Sequence, residues 1–364
     1  MAFVIRFILL FINNYIFVLP QGDGDAIIIE FYAFKFSNLT NLDYGYIFSQ
    51  GHFFLAYLGS LLYSVIGREP FMFGLFMVVL GTIVVDKVYT ASFLLWNNKG
   101  IAIKAAWFTA LFPQLCLHSA LTLRETPVNL FLILAIISFI KYWKYSQGKE
   151  LIWFVIYIII ASLFHSGVLF VFLGILILSL TASKQNKNNF ISRFLLPLII
   201  IVSVILINYW GIGTQKFGGS IENISNQFQI RESMKTMGNS AYPSWMLITG
   251  GLSEFWKVPI RYIAFLFSPL IPFMVKNPKH IIGLFDGILY LLLFYNIYKN
   301  RKLIKSNSAA RGVLIMSLFL ILVFSLGVSN VGTAIRHRAK IVPILIILYL
   351  PKGSYLYKKP IYKV

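Results

Sequence analysis

The sequence predicts an all-α, polytopic helical membrane protein, and two observations carry that prediction. Of 364 residues, 58% are hydrophobic and only 12% are charged, well under the roughly 25% charged residues of a soluble domain. Apolar runs near the spanning length of roughly 20 residues recur from one end to the other. No polar stretch is long enough to form a separate soluble domain, so the chain reads as one integral membrane domain, 1–364, in a lipid bilayer.

The net charge of +20 raises the question of nucleic acid. The lysines and arginines form no single face. They sit in short clusters between apolar runs, as topology signals do, so no nucleic-acid partner is expected. The lone cysteine, Cys116, lies in an apolar run and rules out an intrachain disulfide.

Taken in order, the run 2–19 lacks a small-residue cleavage pattern near Leu19 and Pro20 and is read as an uncleaved first span. The segment 20–50 holds Asp23, Asp25, Glu30 and Asp43 against Lys35 and is placed outside, together with 211–256. Four basic clusters are placed inside: Lys141/Lys144/Lys149, Lys184/Lys187/Arg193, Lys299 to Arg311, and the tail from Lys352.

Parity then demotes two runs. The run 51–66 reaches only about 24 Å as a helix, short of a hydrocarbon core of roughly 30 Å, and carries His52, Tyr57, Ser60 and Tyr63. It is laid flat in the outer interface as an amphipathic helix. The run 257–275, interrupted by Arg261, Pro269 and Pro272, becomes a broken or re-entrant element facing outside. The rival to the first demotion is a cytoplasmic 20–50. About ten spans remain, near 2–19, 70–91, 102–118, 127–143, 151–164, 167–182, 190–210, 281–298, 311–329 and 334–351. The outer pieces are 20–69, 118–126, 211–280 and 330–338, with the Gly-, Asn- and Ser-rich 211–256 the most flexible.

Charges at membrane depth need a reason. The apolar run Ile341–Leu350 is too short to span alone, so its helix begins earlier and carries Arg336, His337, Arg338 and Lys340 near its outer end. Arg336 and Lys340 share a helix face. Such a group suits phosphate or diphosphate, because a guanidinium donates paired hydrogen bonds. The alternative is snorkelling toward lipid headgroups. A second group is His118-Ser-Ala-Leu-Thr-Leu-Arg124-Glu125, with Pro127 marking a helix start. Glu125 suits a helix N-terminus; Arg124 is not explained that way and joins it in holding a charged substrate.

Asp25 and Glu30 follow a Gly-rich turn, where a carboxylate can accept a proton from a hydroxyl; a plain exposed loop acid is the alternative. His165 is read as a polar cap, Arg261 as a further phosphate ligand, and His337 is grouped with the acids as a catalytic candidate. The five histidines lack metal-ligand spacing. No nucleotide-binding glycine pattern occurs, so neither a metal nor a cofactor is expected.

Four stretches in order, Asp25–Ala33, Lys104-Ala-Ala-Trp-Phe-Thr-Ala-Leu-Phe-Pro113, His118–Glu125 and Gly332–Lys340, resemble bacterial O-antigen polymerases of the Wzy type. The first half also resembles GT-C glycosyltransferases of the protein-mannosyltransferase type. Those have an acidic first outer loop, juxtamembrane helices and an acidic residue in a second outer loop, matched here by Glu125. Ala26 follows Asp25 where such enzymes often carry Asp-Glu, which leaves the base open among Asp25, Glu30 and Glu125.

The resemblance implies a GT-C-like fold in the bacterial inner membrane. It implies transfer of a glycan from undecaprenyl diphosphate to a sugar hydroxyl of another lipid-linked unit, and a chain-length regulator as partner. The diphosphate would meet Arg124, Arg261, Arg336, Arg338 and Lys340. Two other functions stay open: a GT-C transferase of single sugars from a polyprenyl phosphate, and a lipid-linked glycan flippase. The absence of a sequence repeat ranks the flippase last.

Overall fold

The structure is a computed structural model that describes residues 1–181, 240–248, 251–270 and 279–351. The described residues are mostly helical, and the only β pairing among them is an isolated antiparallel bridge between Ala241 and Asn330. The expected span 190–210 and residues 211–239 and 271–278 lie outside the described residues.

In chain order, α1 (Ala2–Tyr15) leads to α2 (Asp25–Ser37), α3 (Tyr44–Ser49) and α4 (Gly51–Ile66). Then follow α5 (Pro70–Trp96), α6 (Lys99–Leu111), α7 (Pro113–Ser119), α8 (Glu125–Tyr145) and α9 (Lys149–Phe164). A 3-10 turn over Ser166–Phe170 runs into α10 (Val171–Thr181). The remaining helices are α11 (Val258–Phe267), α12 (Lys279–Lys299), α13 (Arg301–Ser306), α14 (Ser308–Gly327), α15 (Val331–Arg338) and α16 (Val342–Ile347).

Three of these, α5, α8 and α14, are long and apolar enough to cross a membrane, or four spans if the bent pair α6–α7 counts as one. The chain is a membrane protein on that ground, with fewer such helices among the described residues than the ten expected. The shortfall has local causes. Pro113 cannot donate an amide to the turn before it, so the run 102–118 bends by 60° between α6 and α7. The last run, expected as one helix over 334–351, is two short helices, with Pro343 at the start of α16. The runs 151–164 and 167–182 divide at His165 as expected, and the helices formed, α9 and α10, are 16 and 11 residues long, short of a full crossing. The run 257–275, expected as a broken element and not counted among the ten, forms α11, which stops at Phe267, and 271–275 is outside the described residues.

The flat-lying candidate 51–66 is a helix, α4, that packs on α2 and α9. Its Gly59 allows a close approach: a Cβ there would meet the Phe73 ring at 2.6 Å and the Ala33 methyl at 2.9 Å. Its other face leaves Leu61, Val65 and Ile66 exposed, so both faces of this helix are largely apolar. A contiguous core runs from Ile29 of α2 through Met77 and Val88 of α5, Ile136 of α8 and Val313 of α14 to Leu345 of α16. Since lipid is as apolar as these side chains, close packing and polar ties rather than escape from water hold such helices together.

Those ties define two ends. At the C-terminal end of α5, Lys144 donates to the Leu94 and Leu95 carbonyls at 2.7 and 3.2 Å. Asn307 donates to Leu95 at 3.1 Å, and the Trp96 indole donates to Ile347 at 2.7 Å. The lysine-bearing loops around 145 and 300 therefore share one end. At the N-terminal end of α8, about 30 Å away along that helix, the polar groups are of another kind. There Thr126 donates to the His118 carbonyl at 3.1 Å, the His118 ring meets Gln21 at 3.0 Å, and Thr122 donates to the Ala26 carbonyl at 3.0 Å. These bonds fix the α7–α8 corner against the start of α2. The described end of the 211–256 segment is tied down rather than loose: Tyr242 donates to Ser329 at 2.8 Å and Val331 to Ser240 at 2.9 Å.

Candidate functional site

Three separate stretches converge at the N-terminal end of α8. Asp25 is the first residue of α2, Glu125 the first of α8, and Arg336 lies in α15. Asn330 starts α15 by accepting from the Gly332 and Thr333 amides; Arg336 in the last turn of α15 and Lys340 in the turn after Arg338 reach the same carboxylate.

Arg336 bridges both acids. Its Nε donates to Glu125 Oε1 and its Nη1 to Asp25 Oδ2, each at 2.7 Å. Lys340 Nζ lies 3.0 Å from the same Glu125 oxygen. The cluster is graded in depth. The side chains of Glu125 and Lys340 are 0% exposed, Arg336 17% and Asp25 39%, so Asp25 forms its mouth and Glu125 its floor.

Burial disfavours the Asp25 carboxylate, but the charge and hydrogen bond of Arg336 outweigh it and hold its pKa below the ordinary value. Arg124 is pulled the other way: its desolvation lowers its pKa, against the charge of Glu125. The Arg124 Nε is buried without a hydrogen-bond partner, as are Arg336 Nη2 and Glu125 Oε2. Two carboxylates thus face three cations, Arg124, Arg336 and Lys340. The basic side chains outnumber the acidic ones by one and keep donors unbonded, where few waters can screen a charge, which is an environment that favours an anion.

His337 sits beside this group. Its ring meets His165 edge-on at 4.9 Å and Phe324 at 5.5 Å, while its Nδ1 is buried without a partner. His165, expected as a polar cap, does end α9, and its ring joins the wall behind His337.

Other expected site residues are engaged elsewhere. Glu30 takes a paired contact from Arg68, both distances 2.9 Å, and accepts from the Tyr63 hydroxyl at 3.2 Å. Arg261 donates to the carbonyls of Leu326 and Val328 at 3.1 and 2.7 Å, closing the end of α14. Arg338 faces away from Arg336. It donates to the Leu266 and Ser268 carbonyls, both at 2.6 Å, pairs with Asp286 at 3.3 Å and lies 4.9 Å over the Tyr290 ring. It clamps α11, α12 and α15 together, so it positions the helix that bears Arg336.

Sequence reasoning passed over Asp286, Gln21 and Tyr290. Asp286 had a usable signal, a lone carboxylate inside the apolar run 281–298. Gln21 and Tyr290 had none. Among the described residues no group of three or more His, Cys, Asp or Glu side chains is placed to hold a metal ion. Comparison with family models and with curated proteins gives no match.

Proposed function

We propose that the chain is a polysaccharide polymerase of the bacterial inner membrane, acting at the periplasmic face on undecaprenyl-diphosphate-linked oligosaccharide units. One observation carries this reading: Arg336 joins Asp25 and Glu125 in a cluster whose cations outnumber its acids.

In the proposed reaction the acceptor sugar hydroxyl attacks the anomeric carbon of the donor glycan. The new C–O bond forms as the bond from that carbon to the diphosphate oxygen breaks, and its electron pair leaves with undecaprenyl diphosphate. The hydroxyl proton passes to a carboxylate. Arg124, Arg336 and Lys340 stabilise the charge that develops on the leaving group, the kind of fixed electrostatic contribution that dominates many enzymes. Asp25 is a poor base while Arg336 holds it. A bound diphosphate competes for that guanidinium, and Asp25, once released at the mouth of the site, becomes the stronger base. The donor carries its own activation, so no nucleotide or cofactor is required. A chain-length regulator is the expected protein partner.

The test is deletion of the gene, followed by analysis of surface glycan. A polymerase deletion leaves glycan of one repeat unit. Loss of one sugar from every unit would assign a single-sugar transferase instead, and units trapped on the cytoplasmic leaflet would assign a flippase.

A further inference from the structure

The charged cluster occupies one end of α2. The other end of the same helix borders an open, shallow cleft of about 270 Å³, near the small end of the roughly 300–1,000 Å³ of ligand sites. Tyr32 and Lys35 of α2 form one wall, Asn41 and Asp43 of the connecting segment another, and Tyr46 of α3 a third. The floor is apolar, with Phe36 and Ile47 buried.

The lining is mixed in a way that selects a ligand class. The Tyr46 ring is 41% exposed, yet stacked at 4.3 Å on Phe53, so it is a fixed aromatic face open to the cleft. Its hydroxyl donates to that of Tyr32 at 3.5 Å, a long and weak bond, which leaves the Tyr32 proton to donate elsewhere. Lys35 lies 5.7 Å over the Tyr32 ring and Asp43 spends one oxygen on the Tyr46 amide at 3.1 Å. One ammonium and one carboxylate cancel. An anion would need a surplus of positive charge here, and a lipid tail would need walls without a carboxylate. A neutral polyol has apolar faces for a tyrosine ring and hydroxyls for amine, amide, phenol and carboxylate together.

We infer that this cleft is a second, saccharide-binding site. The inference rests on the glycan-transferase reading for its biological role: the ten residues from Asp25 to Lys35 put the cleft roughly 15 Å along α2 from the charged cluster, within reach of a short oligosaccharide whose reducing end lies at Arg336. The cleft then holds sugars remote from the reacting bond.

The probe is a set of oligosaccharides released by mild acid from the surface glycan of the native cell. These are added to purified full-length protein and followed by saturation-transfer NMR. Wild-type protein should saturate the sugar protons. Tyr46→Ala should bind roughly tenfold more weakly for loss of one aromatic face, and Lys35→Ala several-fold more weakly. Lys35→Ala touches only an exposed side chain, so it covers the case in which Tyr46→Ala misfolds. Arg336→Ala should bind these diphosphate-free sugars as wild type does. In cells Lys35→Ala should shorten glycan chains without stopping polymerisation. Unchanged binding in Lys35→Ala and Tyr46→Ala, or no sugar binding by wild type, overturns the inference. Sugar binding that depends on Lys35, in a protein whose deletion leaves polymer length intact, keeps the cleft and discards the polymerase.

Discussion

Glu125→Gln separates a buried ion cluster from an incidental contact. The carboxylate is fully buried, accepts from Arg336 at 2.7 Å and neutralises Lys340 at 3.0 Å. Glutamine keeps its shape and removes its charge. Lys340 is then left in the interior with no counter-charge, the situation that costs about 3–5 kcal/mol in proteins where one partner of a buried pair is removed. At about 2.1 cal/mol/K per residue, a chain of 364 residues loses roughly 4–7 °C of melting temperature. Replacing both partners by groups of similar shape removes most of that cost, so Glu125→Gln with Lys340→Met should melt within about 2 °C of wild type while remaining inactive. The assay is thermal unfolding of the purified protein in detergent, read by tryptophan fluorescence and by the loss of the monodisperse peak. A single Glu125→Gln variant that melts with wild type would refute the buried triad, as would a double variant that melts below the single one.

Four further outcomes follow from the same geometry. Arg336→Ala should abolish polymerisation with protein still in the membrane, and Arg336→Lys should rescue poorly, because one ammonium cannot reach two carboxylates as a guanidinium does; glycan of wild-type length from both variants removes the clamp. Arg338→Leu should instead lower yield and melting temperature by leaving Asp286 buried and unpaired, with activity per folded molecule largely kept, whereas a loss confined to activity would make Arg338 a substrate ligand. Asp25 has a folded pKa below the ordinary value of about 3.9, so its pair with Arg336 is fully present above that value and is lost only as pH falls through the lower folded one. If diphosphate takes Arg336 over, the acid limb of kcat should lie about one pH unit or more above that of kcat/KM, and coincident limbs would contradict the exchange. Reporter fusions at Tyr145 and Asn307 should both report cytoplasm and one at Gly67 the periplasm; cytoplasmic signal at Gly67 would place α4 on the other side.

Much of the helical content was legible because composition and run length are properties of the sequence alone. The break at His165 was read from the sequence, a histidine between two apolar runs, and α9 does end at Phe164; the breaks at Pro113 and Pro343 were not, because each proline lies inside an apolar run of spanning length although it bends or restarts the helix there. In the site, Asp25, Glu125, Arg336 and Lys340 stood out as charges next to apolar runs, and they do meet. Their neighbours Arg338 and Arg261 carried the same signal and have different partners, backbone carbonyls at helix ends. A guanidinium in an apolar region needs acceptors, and the sequence does not say whether they come from a ligand or from the ends of helices. Arg336 and Lys340, four residues apart, meet one carboxylate although α15 ends at Arg338 and Lys340 lies in the turn after it, while Arg338, two residues from Arg336, points elsewhere. Glu30 was drawn in by its nearness to Asp25 along the chain; five residues along α2 turn it toward Arg68 instead.

The central claim is that this chain joins lipid-linked glycans at the Asp25–Arg336–Glu125 cluster, and reconstitution tests it most directly. Purified protein in liposomes, given a defined undecaprenyl-diphosphate oligosaccharide and no nucleotide, should convert it to a ladder of longer glycans and release undecaprenyl diphosphate in equal number to the bonds formed. Arg336→Ala should give neither product. A wild-type protein that yields no dimer of repeat units, or an Arg336→Ala variant that yields the full ladder, would contradict the account.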